Sequence, residues 1–235
     1  MTELPLALSF FDTARDLSGT ARAGMTLLFE GKTPTTLAEG AEVERDGGGA
    51  IDARLRDELE LHFAPVAEPA RLGGLQTTLC TVTGTVRGNR VECLGTATET
   101  TEPPAWSELD AVRGLTAVFA DDRAVFVLAR RPRGAIGHGH ELVEAKLVLD
   151  GEIADVETAR VSTVYDGDGR QRSAGLELFL PGEDFPRRLS GSVHAGASLS
   201  LEGLRVNAAV FEWRMEGREG VGAYELAVRD DQEAA

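Results

Sequence analysis

Apolar residues in this 235-residue chain recur at every second position far more than at every third or fourth. Strand side chains alternate faces with period two, whereas a helix needs spacing near 3.6. The last hairpin shows the pattern best. Phe211, Trp213 and Met215 fall on one face, Glu212 and Arg214 on the other, and the chain then turns through Glu216-Gly217-Arg218-Glu219-Gly220 into an alternating run at 221–228. A broad apolar face at the close of the chain must be covered or occupied.

Similar runs lie at 6–11, 20–30, 76–86, 90–98, 116–120, 124–129, 142–149, 153–165, 173–180, 189–199 and 205–215, each bounded by turn residues. The segment 52–62 comes nearest to a helix. There Leu55, Leu59, Leu61 and Phe63 alternate with Arg56, Glu58, Glu60 and His62, which predicts one half-buried strand. About a dozen strands with turns every 8–12 residues or so predict an all-β sandwich or barrel. Closure would remove the sheet edges that a chain like this cannot leave open. Glu102-Pro103-Pro104-Ala105-Trp106 interrupts the pattern, because consecutive prolines offer no N–H for pairing. The reading is two lobes, 1–105 and 106–235.

Charge narrows the partners. The chain carries 24 basic and 39 acidic residues, a net charge of −15. Nucleic-acid binding needs a basic patch, and none of sufficient size exists. The run Arg130-Arg131-Pro132-Arg133 is read as a polar loop. An anionic membrane surface would repel the chain. No apolar run reaches spanning length, and Met1-Thr2-Glu3-Leu4-Pro5 lacks the features of a signal peptide. A cytoplasmic protein is expected. Cys80 and Cys93 are the only cysteines. With Gly88-Asn89 as a hairpin turn, Cys93 falls opposite Gly84 and Cys80 opposite Ala97, so two free thiols are expected.

Four segments carry a resemblance. They are Phe10-Phe11-Asp12, the Val82-x-Gly84-x-Val86 hairpin, the stretch from Gly95 to Trp106, and the terminal Gly220-x-Gly222-x-x-Glu225. Together they resemble the lipocalin-like two-lobed proteins of the AttH and carotenoid 1,2-hydratase type, with decalin-forming Diels–Alderases and tocopherol cyclase as architectural relatives. The resemblance implies two antiparallel β-barrel or sandwich lobes, a hydrophobic pocket, and terpenoid or polyketide-like ligands. Glu99 matches the acid of the family's mid-chain motif. The histidine that should follow it is absent, and the prolines displace Trp106.

Candidate site residues follow from chemistry. A carboxyl in an apolar pocket can protonate an alkene or orient a carbonyl, which nominates Glu99. Asp12 closes an aromatic strand and suits either a turn or a pocket-facing role. Tyr165, before the Asp166-Gly167 turn, offers a phenol at a barrel mouth. Phe11, Trp106, Phe211, Trp213 and Tyr224 are the aromatics expected to wall a ligand pocket or fill a core. His138-Gly139-His140-Glu141 is the densest histidine cluster, with His62 and His194 as further ligands if it held a metal. The alternative is a glycine-rich loop, exposed or acting as a lid. No cofactor or metal is expected. The function expected is binding of a hydrophobic small molecule with a cofactor-free cyclisation, isomerisation or hydration. The alternatives are a non-catalytic carrier and an acidic interaction module.

Overall fold

The computed structural model describes residues 4–136, 138–201 and 203–229. Among them are nineteen strands and one 3-10 turn, His138–His140. The fold is all-β, as the alternation predicts.

By contacts the chain divides into two units. One comprises Met1–Glu102 with Ala120–Ala124 and Val148–Ile153; the other comprises Pro103–Phe119, Val125–Leu147 and Ala154–Ala235. In the first sheet β1 (Leu6–Asp12), β2 (Leu17–Arg22), β3 (Met25–Glu30) and β4 (Thr33–Leu37) meander outward. The chain then crosses to the opposite edge and returns through β5 (Glu42–Arg45), β6 (Ile51–Leu55), β7 (Leu59–Pro65), β8 (Ala70–Leu72), β9 (Leu75–Val86) and β10 (Asn89–Thr100). The order is β4-β3-β2-β1-β10-β9-β7-β6-β5, with β8 beside β9.

The second sheet repeats this wiring. Its outgoing meander is β11 (Leu109–Ala120), β12 (Arg123–Pro132), β13 (Leu142–Leu149) and β14 (Glu152–Asp155). The return runs through β15 (Thr158–Tyr165), β16 (Gln171–Phe179), β17 (Arg187–Leu201), β18 (Leu204–Met215) and β19 (Arg218–Arg229). The order is β14-β13-β12-β11-β19-β18-β17-β16-β15. In each lobe the last strand pairs with the first. That pairing buries the two strands with the longest sequence separation at the centre and leaves the short β4, β5 and β14, with the eight-residue β15, at the edges. Short edge strands limit unwanted pairing.

Each sheet curls around its own core. Leu8, Phe10, Leu28, Leu61, Phe63 and Val82 anchor the first. Leu115, Leu147, Leu176, Leu178, Leu189 and Phe211 are buried in the second.

Several local expectations change. There are nineteen strands rather than about a dozen, because short strands are joined by turns too tight to break the alternation. The segment 52–62 is a hairpin and not one strand: Leu55 faces Leu59, and Arg56 sits at φ 40° in the turn. A three-residue turn preserves parity, so apolar residues keep alternating through it. The run 153–165 is two strands, β14 and β15, which lie at opposite edges of the sheet. The hairpin between β9 and β10 turns at Arg87-Gly88, both with positive φ, and pairs Val86 with Asn89. Cys93 therefore faces Val82, and Cys80 faces Gly95. Arg130 and Arg131 belong to β12 rather than to a loop.

Both cysteines are free thiols. Burial is the main cause that pushes each thiol from its ordinary 9.0 up to about 12. The unfolded chain ionises these groups first as pH rises. Their contribution is thus complete below pH 9 and is lost progressively between pH 9 and 12. Urea midpoints are expected to fall across that window, and a Cys80→Ser, Cys93→Ser variant to lose much of the dependence. In the native state neither thiol should react with Ellman's reagent at pH 8, since only the thiolate attacks.

Candidate functional site

Two constellations place charge inside a lobe. The first lies in the C-terminal sheet. Strand register puts Arg113, Leu115, Tyr224, Phe211, Trp213 and Thr163 on one face. Because the sheet curls, strands distant in the order meet across its interior. The Arg113 guanidinium donates through Nη1 to Thr163 Oγ1 at 3.0 Å and to Tyr224 Oη at 3.1 Å. Its Nη2 donates to the Glu141 carboxylate. Thr163 and Tyr224 hydroxyls share a hydrogen bond of 2.7 Å. Arg131 holds the other Glu141 oxygen through Nε at 3.1 Å and Nη2 at 2.9 Å. Arg113 and Glu141 side chains are each 1% exposed, and Arg131 is 22% exposed.

Aromatic rings back this cluster. Phe211 lies 5.3 Å from both Tyr224 and Trp213, centroid to centroid. Trp213 in turn covers Gly191, where a Cβ would come within 2.4 Å of the indole. Burial outweighs the neighbouring Arg113 and pushes the Tyr224 phenol up to about 12, so it remains a hydrogen-bond donor at neutral pH. The Nε atoms of Arg113 and Nε1 of Trp213 are buried and have no hydrogen-bond partner among the described residues.

The second constellation is a cleft of about 460 Å³ in the N-terminal lobe. Leu4, Leu6, Leu8, Ala21 and Val43 supply aliphatic walls. Arg22, Glu42 and Arg45 supply the charged ones. Glu99 faces Leu6 across the β1–β10 pair and meets Arg45 Nη1 at 2.5 Å. This ion pair joins β10 to the edge strand β5. Glu99 is therefore held by a guanidinium, not set alone in an apolar wall.

The sequence candidates divide between these places. Glu99 does not line the N-terminal cleft itself but pairs with Arg45, which does. Tyr224, Phe211 and Trp213 gather in the C-terminal interior, and Tyr165 lies on the same face, two residues beyond Thr163. Asp12 is buried, and its oxygens accept from the Arg15 backbone N–H at 3.2 Å and from Arg15 Nη1 at 3.0 Å, which ties it to the β1–β2 turn. Phe11 is buried on the sheet face opposite Leu8 and Phe10. Trp106 is half-buried, and its carbonyl accepts from Arg229. The side chain of His138 lies outside the described residues; His140 is exposed. His62 pairs with Asp52 and His194 with Glu212. Among the described residues no group of three or more histidine, cysteine or acidic side chains is arranged to hold a metal. Nor is any helix long and apolar enough to cross a membrane.

Sequence reasoning did not single out Arg113, Thr163 or Arg45, read Arg131 as part of a polar loop, and considered Glu141 only beside the histidines. One signal for Arg113 was present. It occupies an inward position between Ala111 and Leu115 in an alternating strand, where an arginine is out of place unless paired.

No protein-family model matches the chain, and no curated protein matches it by sequence. Solved structures do match. A protein of the AttH type from Nitrosomonas europaea aligns at 12% identity with a TM-score of 0.62, over 95% of this chain and 92% of that one. CghA aligns at 13% identity and a TM-score of 0.59, over 96% of this chain and 88% of that one. Kievitone hydratase from Nectria haematococca gives 10% identity and 0.60, over 96% and 89%. This chain has the AttH-type fold. At such identity the likeness is one of lipocalin-like lobes and their wiring. Within the AttH-type fold, this chain places an ion pair between β5 and β10 of one lobe and a buried Arg113–Glu141 cluster inside the other.

Proposed function

We propose that this protein binds a small, predominantly apolar molecule, terpenoid- or polyketide-like, in the N-terminal cleft. The observation that carries the reading is the cleft itself. Its volume falls in the usual range for small-molecule sites, and aliphatic walls with a few charged groups are their usual composition. The ligand's polar end meets the Arg45–Glu99 pair. A carboxylate held this way is a hydrogen-bond acceptor, suited to orient a ligand hydroxyl or an attacking water. The fold shared with a kievitone hydratase supports cofactor-free hydration or isomerisation as the chemistry. Orientation in a preformed cleft supplies much of the rate for such steps.

Titration with the neutral fluorescent probe N-phenyl-1-naphthylamine tests the binding. Val43→Trp places an indole in the cleft from an edge strand and should weaken the probe tenfold or more. Unchanged affinity would remove the cleft from consideration. The internal pairing of Glu99 with Arg45 also favours a carrier. Glu99→Gln decides between the two by mass spectrometry of terpenoid and polyketide polyenes incubated in H2-18O. An enzyme releases a hydrated product that carries 18O, or an isomer of unchanged mass resolved by chromatography, and loses that activity in the variant. A carrier returns its ligand unchanged from both proteins.

A further inference from the structure

The N-terminal cleft runs inward along β1. Its wall passes from Leu4, 45% exposed, through Leu6 to Leu8, 2% exposed. At a strand's rise that is a run of about 13 Å. Ala21 lies opposite Leu8 on β2, and Ala41 and Val43 extend the apolar lining. Every apolar side chain that lines the cleft is aliphatic. Flat conjugated rings gain from stacking on aromatic faces, and these walls offer none. At roughly 30 Å³ per heavy atom, a water's share of the liquid, 460 Å³ holds about fifteen non-hydrogen atoms.

The polar groups are balanced in charge. Val43 and Arg45 lie opposite the core residues Ala53 and Ile51, which places Arg45 on the inward face of β5. Its guanidinium is paired with Glu99 at 2.5 Å and keeps further N–H donors. Arg22 and Glu42, one of each sign, also line the cleft. A carboxylate head would compete with Glu99 for Arg45 and stand beside its charge. An ammonium head would stand against the guanidinium. A hydroxyl accepts from Arg45 and leaves the pair intact.

We propose that the cleft selects an open-chain aliphatic alcohol of about fifteen non-hydrogen atoms. The hydroxyl meets Arg45, and the chain lies along Leu4, Leu6 and Leu8. The inference rests on the N-terminal cleft being the ligand site. Within that reading it favours acyclic terpenoid alcohols over fused or aromatic polyketides, and a neutral head over an acid or an amine.

Displacement of N-phenyl-1-naphthylamine by linear alcohols, each below its solubility limit, tests the proposal. From 1-octanol to 1-dodecanol affinity is expected to rise about threefold per methylene, as each is removed from water. From 1-tetradecanol to 1-hexadecanol it should rise by at most about twofold, since the added carbons lie outside the cleft. At fixed ionic strength 1-dodecanol should bind at least about tenfold more tightly than dodecanoate or dodecylammonium. Calorimetry should show 9-anthracenemethanol, flat and of similar atom count, binding more weakly than 1-tetradecanol. Ala21→Leu adds three carbons to the wall and should bring the plateau forward by about as many. Circular dichroism confirms that the variant is folded; should it fail to fold, Ala41→Leu takes its place. A rise that continues through 1-hexadecanol overturns the proposal, as does a plateau that the variant leaves in place. So does equal or tighter binding of dodecanoate, dodecylammonium or the flat alcohol. Those outcomes leave the cleft standing as long as Val43→Trp weakens the probe. If Val43→Trp has no effect on the probe, the cleft falls and this inference with it.

Discussion

Glu141→Leu is expected to lower unfolding stability by about 3 kcal/mol or more. The side chain is 1% exposed and is the carboxylate partner of both Arg113 and Arg131. Breaking a buried pair on one side strands the other charge, which is far worse than removing both. Arg131 reaches solvent and can rehydrate, so most of the loss comes from Arg113. The Arg113→Met, Glu141→Leu double variant should therefore recover much of the stability, since the fully buried guanidinium is removed along with its carboxylate. Urea denaturation of the two single variants and the double closes the cycle. A double variant no better than Glu141→Leu alone would mean that the network matters for shape and not for charge.

The other large effect is expected at Gly84. It lies mid-strand in β9, between Leu61 on β7 and Val91 on β10. Its φ is +143°, and a Cβ there would stand 2.0 Å from the Glu60 carbonyl oxygen and 3.0 Å from the Leu61 Cα. Both obstacles are backbone, so no side chain can swing aside. Gly84→Ala combines an unfavourable backbone conformation with overpacking, together about 4 kcal/mol. Far-UV circular dichroism with denaturant should show the loss. Gly222→Ala meets the Thr116 carbonyl oxygen at the same 2.0 Å in β19 without the φ penalty, and should cost less. If Gly84→Ala were no worse than Gly222→Ala, the backbone conformation would contribute little.

These glycines bear on how the chain is read. Gly84 and Gly222 belong to the short Val-x-Gly-x-Val and Gly-x-Gly-x-x-Glu segments that carry the resemblance to two-lobed hydratase-like proteins. Their common physical content is a close approach of neighbouring strands, not chemistry. Gly95 and Gly220 are alike, with a Cβ meeting Ser9 O at 2.2 Å and Val118 O at 2.6 Å. A motif made of such positions reports fold and is silent about substrate.

The candidate site was legible in part. Phe211 and Trp213 declared themselves as large rings on one strand face, Tyr224 as an aromatic of the closing strand, and all three are buried together. Glu99 stood out as the match to the acid of the family's mid-chain motif, and the structure places it opposite Leu6. Its partner Arg45 lies 54 residues away by sequence numbering and on the far edge of the sheet, so no local pattern joins them. The same holds for Arg113 with Thr163, 50 residues apart, and with Tyr224, 111 apart.

Period-two alternation by itself determined that the chain is all strand, because only a pleated backbone turns such a pattern into one apolar face. It also determined which side of most strands points inward, since tight turns preserve parity, whereas the one-residue bulges at Val193/Ala195 and opposite Val164/Tyr165 do not. What it left open was which strands lie across from one another. That depends on closing the last strand of each lobe onto the first and on the curl of each sheet, both set by contacts between residues remote in sequence. Only the tertiary structure could bring Arg113, Glu141, Thr163 and Tyr224 together.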